Sequence, residues 1–196
     1  MLFSVAVFLV VGVSIYAGVY YLTPLLVKKG VPKIIAFWAS LWVPVFMLIP
    51  VALIHYRFVE GGSMSLEALI ERFRFHPLES LDVLWVSLAI LGTVVVEATL
   101  QPISRLMAKV RWLAPPSYLE APFNPLKTFT FPPERFFGVR LRKRYGLLIV
   151  FMFLHVFAML SEEVMWRGYL LPMQIEVFGD IAWLINGLMW AWLVHV

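Results

Sequence analysis

Long apolar runs alternate with short polar breaks along this chain. Leu2 to Val27 carries no charge. It is longer than the apolar core of a secretory leader and has no basic segment before it, so it reads as a retained membrane-spanning helix. Lys28, Lys29, Gly30 and Pro32 end it, and Ile34 to Ile54 forms a second run that Pro44 and Pro50 are expected to bend. Beyond His55, Tyr56 and Arg57, the positions Leu66, Leu69, Ile70 and Phe73 recur at helical spacing among Glu67, Glu71, Arg72 and Arg74. That is the pattern of an amphipathic helix lying in the interface. Leu81 to Leu100 is the third run. From Gln101 to Tyr145, Pro115, Pro116, Pro122, Pro125, Pro132 and Pro133 predict an irregular loop, with a short helix near Ser104 to Trp112. A fourth run starts near Gly146 and a fifth spans Ile181 to Val196. The expectation is an all-α, polytopic transmembrane bundle of about five helices without internal repeat. Residues 1–145 form its N-terminal part and 146–196 a second part.

Composition supports the membrane reading. Hydrophobic residues make up 62% of the chain, charged ones 14%, and the mean hydropathy is +0.87, whereas soluble domains carry about 25% charged residues. The lipid bilayer is therefore the first partner. With no cysteine, disulfides and thiolate metal sites are excluded, and His55, His76, His155 and His195 are too scattered for a histidine-only site. The net charge of +4 comes from lysines and arginines between the runs, which excludes a nucleic-acid surface. Three Lys/Arg follow the first run and nine lie in the long loop, against three after the second run and one further on. The positive-inside rule then places the first and third loops in the cytoplasm and the N-terminus outside.

Candidate chemistry concentrates in Ser161-Glu162-Glu163-Val164-Met165-Trp166-Arg167-Gly168. Ionisable groups at membrane depth are costly and mark function. On a helix, Glu163 and Arg167 are four apart and share a face, while Glu162 points roughly 140° away from the arginine. One acid is then neutralised and the other is left free as a general base toward water. A depth argument adds a partner. Glu162 lies about 18 Å before the turn at Phe178-Gly179-Asp180, and His195 about 21 Å back along the returning helix, so a Glu and a His could hold one water between them.

The run Glu162-Glu163-x-x-x-Arg167-Gly168-Tyr169-Leu170-Leu171-Pro172, then Phe178-Gly179, Asn186-Gly187-Leu188 and His195, resembles the CPBP family, the CAAX prenyl endopeptidase and bacteriocin-processing intramembrane proteases also called Abi. The resemblance spans about Gly146 to Val196 and implies that this is the start of a catalytic core. It implies that Glu162 and histidines of later helices activate water for peptide-bond hydrolysis, with Glu163 held by Arg167. The substrate would be a peptide or protein of CAAX or leader type, in a bacterial or archaeal cell membrane. The mechanism is read both with zinc and without metal, the metal-free glutamate form being favoured. Two departures stand out. The family's aromatic residue four before the histidine is replaced by Ala191, flanked by Trp190 and Trp192, which suggests a register shift of one. A third motif, a histidine followed four later by Asn or Asp, has no counterpart. With a fifth run of about 16 residues where roughly 20 are needed, the chain is expected to be a fragment.

Other readings compete. A Glu–Arg pair can be a structural staple between helices, and the same fold could serve as a non-catalytic scaffold or immunity protein. A small transporter using Glu97 and Glu162 as proton sites is the third reading, less supported because neither repeats nor broken-helix pairs appear. His155, seven before Glu162, is taken as a lining or structural residue. Glu97 is a second acid in an apolar run, able to pair with Arg105 or shape a cavity.

Overall fold

Prolines decide where the apolar runs widen and break. The computed structural model describes residues 2–77, 79–111, 113–128 and 135–194. They form two compact units, one of residues 1–75 with 138–196 and one of residues 76–137.

In the larger unit, the first run is α1 (Leu2–Ala17), a π-helical stretch Gly18–Leu22 and α2 (Thr23–Lys28). The second is α3 (Lys33–Phe46) and α4 (Leu48–Phe58), broken at Met47. The break has a cause: Pro50 has no amide to give the Phe46 carbonyl, and its ring crowds that oxygen. The same chemistry explains two π-helical stretches. Gly18–Leu22 runs up to Pro24, and Val164–Leu170 runs up to Pro172. Each ring removes one i→i−4 bond, and the wider turn takes up the mismatch. The amphipathic helix forms as α5 (Leu66–Arg72), with the Ser65 hydroxyl accepting from the Ala68 amide at 3.4 Å.

The fourth and fifth runs are one helical stretch of 50 residues, Tyr145–Val194, where two spans were expected. It comprises α7 (Tyr145–Glu163), the π stretch Val164–Leu170, α8 (Leu171–Phe178), α9 (Ala182–Met189) and a π stretch Trp190–Val194. By length and apolarity the described residues hold three possible spans, Leu2–Lys28, Lys33–Phe58 and Tyr145–Val194, or four with the bent pair described below. The stretch is nevertheless folded back. Asn186 Nδ2 donates to the Trp166 carbonyl at 3.1 Å, whereas twenty residues of straight helix would separate them by about 30 Å. Gly179, at φ +56°, makes the reversal. No polar loop is required, because one left-handed glycine and a single 3₁₀ turn suffice.

What holds this unit together is close packing and buried polar links, since lipid is as apolar as a leucine side chain and supplies little drive for helices to associate. The buried stripe of α1 is Ser4, Val7, Phe8 and Val11. It meets the most enclosed segment of the unit, in which Met165, Trp166, Tyr169 and Leu170 are each 0% exposed. Phe8 stacks on Trp166 with centroids 4.2 Å apart. Gly12 lets α1 touch the Trp190–Val194 backbone; a Cβ there would lie 1.5 Å from the Leu193 oxygen. Gln174 Nε2 donates to Ser4 Oγ at 2.7 Å and its Oε1 accepts from Asn186 at 2.8 Å, so one polar chain joins α1, α8 and α9.

In the smaller unit, α6 (Ser80–Met107) starts with the Asp82 carboxylate accepting from the Glu79 amide at 2.8 Å. Its segments Ser80–Val96 and Ala98–Met107 meet at 44°. Pro102 lies four residues after Ala98, whose carbonyl it cannot satisfy, which places the bend. The short helix expected near Ser104 is therefore the end of the third run and not a separate element. Trp112 lies outside the described residues.

Candidate functional site

Glu162 and Glu163 end α7 and part company there. Glu162 is 5% exposed, enclosed with Ala158 and Ser161. Glu163 turns outward, its side chain 60% exposed, and its Oε1 lies 3.2 Å from Arg167 Nη1. The four-residue pairing read from the sequence is present, although the pair sits at the periphery of the unit and not in its core.

The expectation of a free Glu162 is corrected. Trp190 Nε1 donates to Glu162 Oε2 at 2.7 Å. The indole also offers its face to Arg167, whose Cζ is 5.3 Å from a Trp190 ring centroid, within cation–π range. One tryptophan thus gathers Glu162 by its N–H and Arg167 by its π face. Trp190 follows directly on α9 and opens the π stretch Trp190–Val194. Trp190 faces the acid and Ala191 does not.

His195 and Val196 lie outside the described residues, as does the Glu97 side chain. His155 is exposed and stacks on Phe151, centroids 5.7 Å apart and 7° from parallel. Among the described residues no three His, Asp or Glu side chains converge as metal ligands.

A second polar assembly was not foreseen. Arg72 on α5 grips Glu60 with Nε–Oε2 at 2.9 Å and Nη2–Oε1 at 2.7 Å. Tyr169 Oη donates to the same Glu60 Oε1 at 2.8 Å, and His55 Nδ1 lies 2.6 Å from Tyr169 Oη. The tyrosine has one proton to give and gives it to the carboxylate, so His55 Nδ1 carries the proton of the other bond. Arg72 further lies over the Tyr169 ring at 4.1 Å, and Phe3 stacks on His55 at 3.6 Å. Burial alone would raise the Glu60 carboxyl; hydrogen bonds from Arg72 and Tyr169 outweigh it and hold the group below the usual range. The one sequence signal was Tyr169 inside the motif. Nothing in the spacing pairs Glu60 with an arginine twelve residues on, across Gly61 and Gly62.

Apolar helices long enough to cross a bilayer, folded back around an enclosed carboxylate, make this a polytopic helical membrane protein. Within it, residues 144–196 match the family described as Type II CAAX prenyl endopeptidase Rce1-like. That segment, from the start of α7 through Trp190, is similar to a CPBP-type protease, as the double glutamate implied. No curated protein and no solved structure matches the chain.

Proposed function

We propose that this protein is an intramembrane endopeptidase of the CPBP type, acting on a CAAX-type prenylated peptide, with Glu162 as general base. The observation that carries the reading is an enclosed carboxylate, 5% exposed, oriented by an indole N–H inside the segment that matches the protease family. The Trp190 N–H fixes Glu162 Oε2, and a carboxylate's roughly four lone-pair sites exceed what that one bond uses. In the proposed step Glu162 takes a proton from water as its oxygen attacks the scissile carbonyl carbon. The tetrahedral intermediate then collapses, the C–N bond breaks, and the proton held on Glu162 passes to the leaving amine. Water is consumed and a carboxylic acid and an amine are released. Glu163, neutralised by Arg167, keeps the helix end and the Trp190 ring in place. His195 is proposed, on the family resemblance, as the partner on water or on the oxyanion.

The test is Glu162→Gln in membrane-embedded protein offered a prenylated CAAX-type peptide. The amide oxygen can still accept from Trp190 but cannot take the water proton, so turnover should fall by about 10²–10⁴ with melting behaviour unchanged. Unaltered turnover would move the reading to a scaffold or immunity protein of the same fold.

A further inference from the structure

The smaller unit contains a cavity that the protease reading leaves unused. Gln101 and Arg105 lie four residues apart near the end of α6, which puts them on one face of it, and Lys109, just past its last residue Met107, lines the same cavity. Lys127 and Thr128 face them from the loop across a cavity of about 500 Å³, with Pro125 and Leu126 completing the wall. Among the described residues that line it, all five polar side chains can donate a hydrogen bond, three are cations and none is a carboxylate. Among the described residues neither Arg105 nor Lys109 has an acid within ion-pair distance. Cations near a helix C-terminus are favoured by its dipole, which accounts for Arg105 but not for the residues brought in by the loop.

The loop wall is already built. Lys127 Nζ donates to the carbonyls of Ser117 at 2.8 Å and Leu119 at 2.5 Å, and Asn124 Oδ1 accepts from the Leu126 amide at 3.0 Å. Two of the three ammonium donors are spent on structure and the third remains. Like charges gathered around one concavity repel until an anion enters, and planar guanidinium and ammonium donors suit phosphate oxygens. The helix that carries Gln101 and Arg105 belongs to the bent pair that is apolar and long enough to cross a membrane. With the bent pair taken as one span, the cavity lies beside its end at Met107, where lipid phosphates would be within reach.

We infer that this cavity binds a phosphate-bearing anion, the group that an anionic phospholipid presents at the membrane surface and that soluble phosphate compounds share. The test uses the full chain, delipidated in detergent and titrated with phosphatidylglycerol or phosphatidylcholine, with bound lipid counted by native mass spectrometry. Wild type should retain phosphatidylglycerol in preference. Arg105→Ala with Lys109→Ala should lower its occupancy on the order of tenfold, and Arg105→Lys with Lys109→Arg should restore it. Gln101→Glu, an isosteric exposed change that sets a carboxylate in the cavity, should weaken binding similarly and guards against misfolding of the double variant. Displacement by millimolar inorganic phosphate would identify a site open to soluble anions, and retention against it a headgroup site; either supports the inference. Equal retention of the two lipids, or the same loss from Arg140→Ala with Arg142→Ala, two arginines of the other unit, would overturn it.

Discussion

Trp190 shows how much one side chain can organise. Its N–H donates to Glu162 Oε2 at 2.7 Å and its ring backs Arg167. Trp190→Phe keeps an aromatic face, smaller than the indole, and removes the donor, so Glu162 loses a hydrogen bond made to an ionised group. We expect about 1.5–3 kcal/mol of destabilisation in chemical or thermal unfolding, together with reduced hydrolysis if Glu162 is the base; unaltered stability would remove the bond from the account. Glu163 and Arg167 predict a smaller effect. With side chains 60% and 41% exposed, a double-mutant cycle of Glu163→Gln and Arg167→Ala should return a coupling of about 0–1 kcal/mol. A value near the 3–5 kcal/mol typical of a broken buried pair would show that the pair is far better shielded than its exposure indicates. The pairing was legible in the four-residue spacing. Its peripheral position was not, because spacing reports which helix face a residue occupies and not what covers that face.

At the scale of elements, α5 is tied to the motif helix by charge and by a close contact. Arg72 and Tyr169 hold Glu60, whose folded-state carboxyl sits below its ordinary value. The sign follows: a depressed pKa contributes stability that is present above the unfolded value and is lost as pH falls through the folded one. The attachment of α5 should accordingly hold at neutral pH and loosen below about pH 4. Proteolysis or hydrogen exchange across residues 60–73, followed against pH, should show this loosening in wild type and much less pH dependence in Glu60→Gln. A Cβ at Gly168 would lie 2.7 Å from the Phe73 oxygen, so Gly168→Ala must push α5 away at a cost of about 1–3 kcal/mol. Increased exchange confined to α5 and its neighbours would be the signature. The helix itself was visible from Leu66, Leu69, Ile70 and Phe73; its partner was not. A chain of single hydrogen bonds from His55 through Tyr169 to Glu60 joins residues more than a hundred positions apart and leaves no periodic trace.

For the whole molecule, the distribution of charge makes the topological prediction. Nine of sixteen Lys and Arg lie in the loop from Gln101 to Tyr145, and the positive-inside rule assigns that loop to the cytoplasm. A cysteine placed at Ser117, in a chain with none of its own, should resist an impermeant thiol reagent in intact cells and react after permeabilisation. Reaction in intact cells would invert the orientation.

Membrane residence, helical class and the segment that holds the candidate chemistry followed from sequence alone. A bilayer demands long uninterrupted apolar helices and makes every buried charge conspicuous, so the runs Leu2 to Val27 and Ile34 to Ile54 and the double glutamate were readable without coordinates. Of the prolines expected to bend the second run, Pro50 follows the break at Met47 while Pro44 lies within α3, and the bend before Pro102 fell in what had read as loop. The tertiary structure decided the rest: that Tyr145–Val194 folds back at Gly179, that Trp190 meets Glu162, and that Glu60, Arg72, Tyr169 and His55 meet. Those outcomes depend on which helix faces touch, and that is set by close approach and hydrogen bonds between distant residues, which no local pattern encodes.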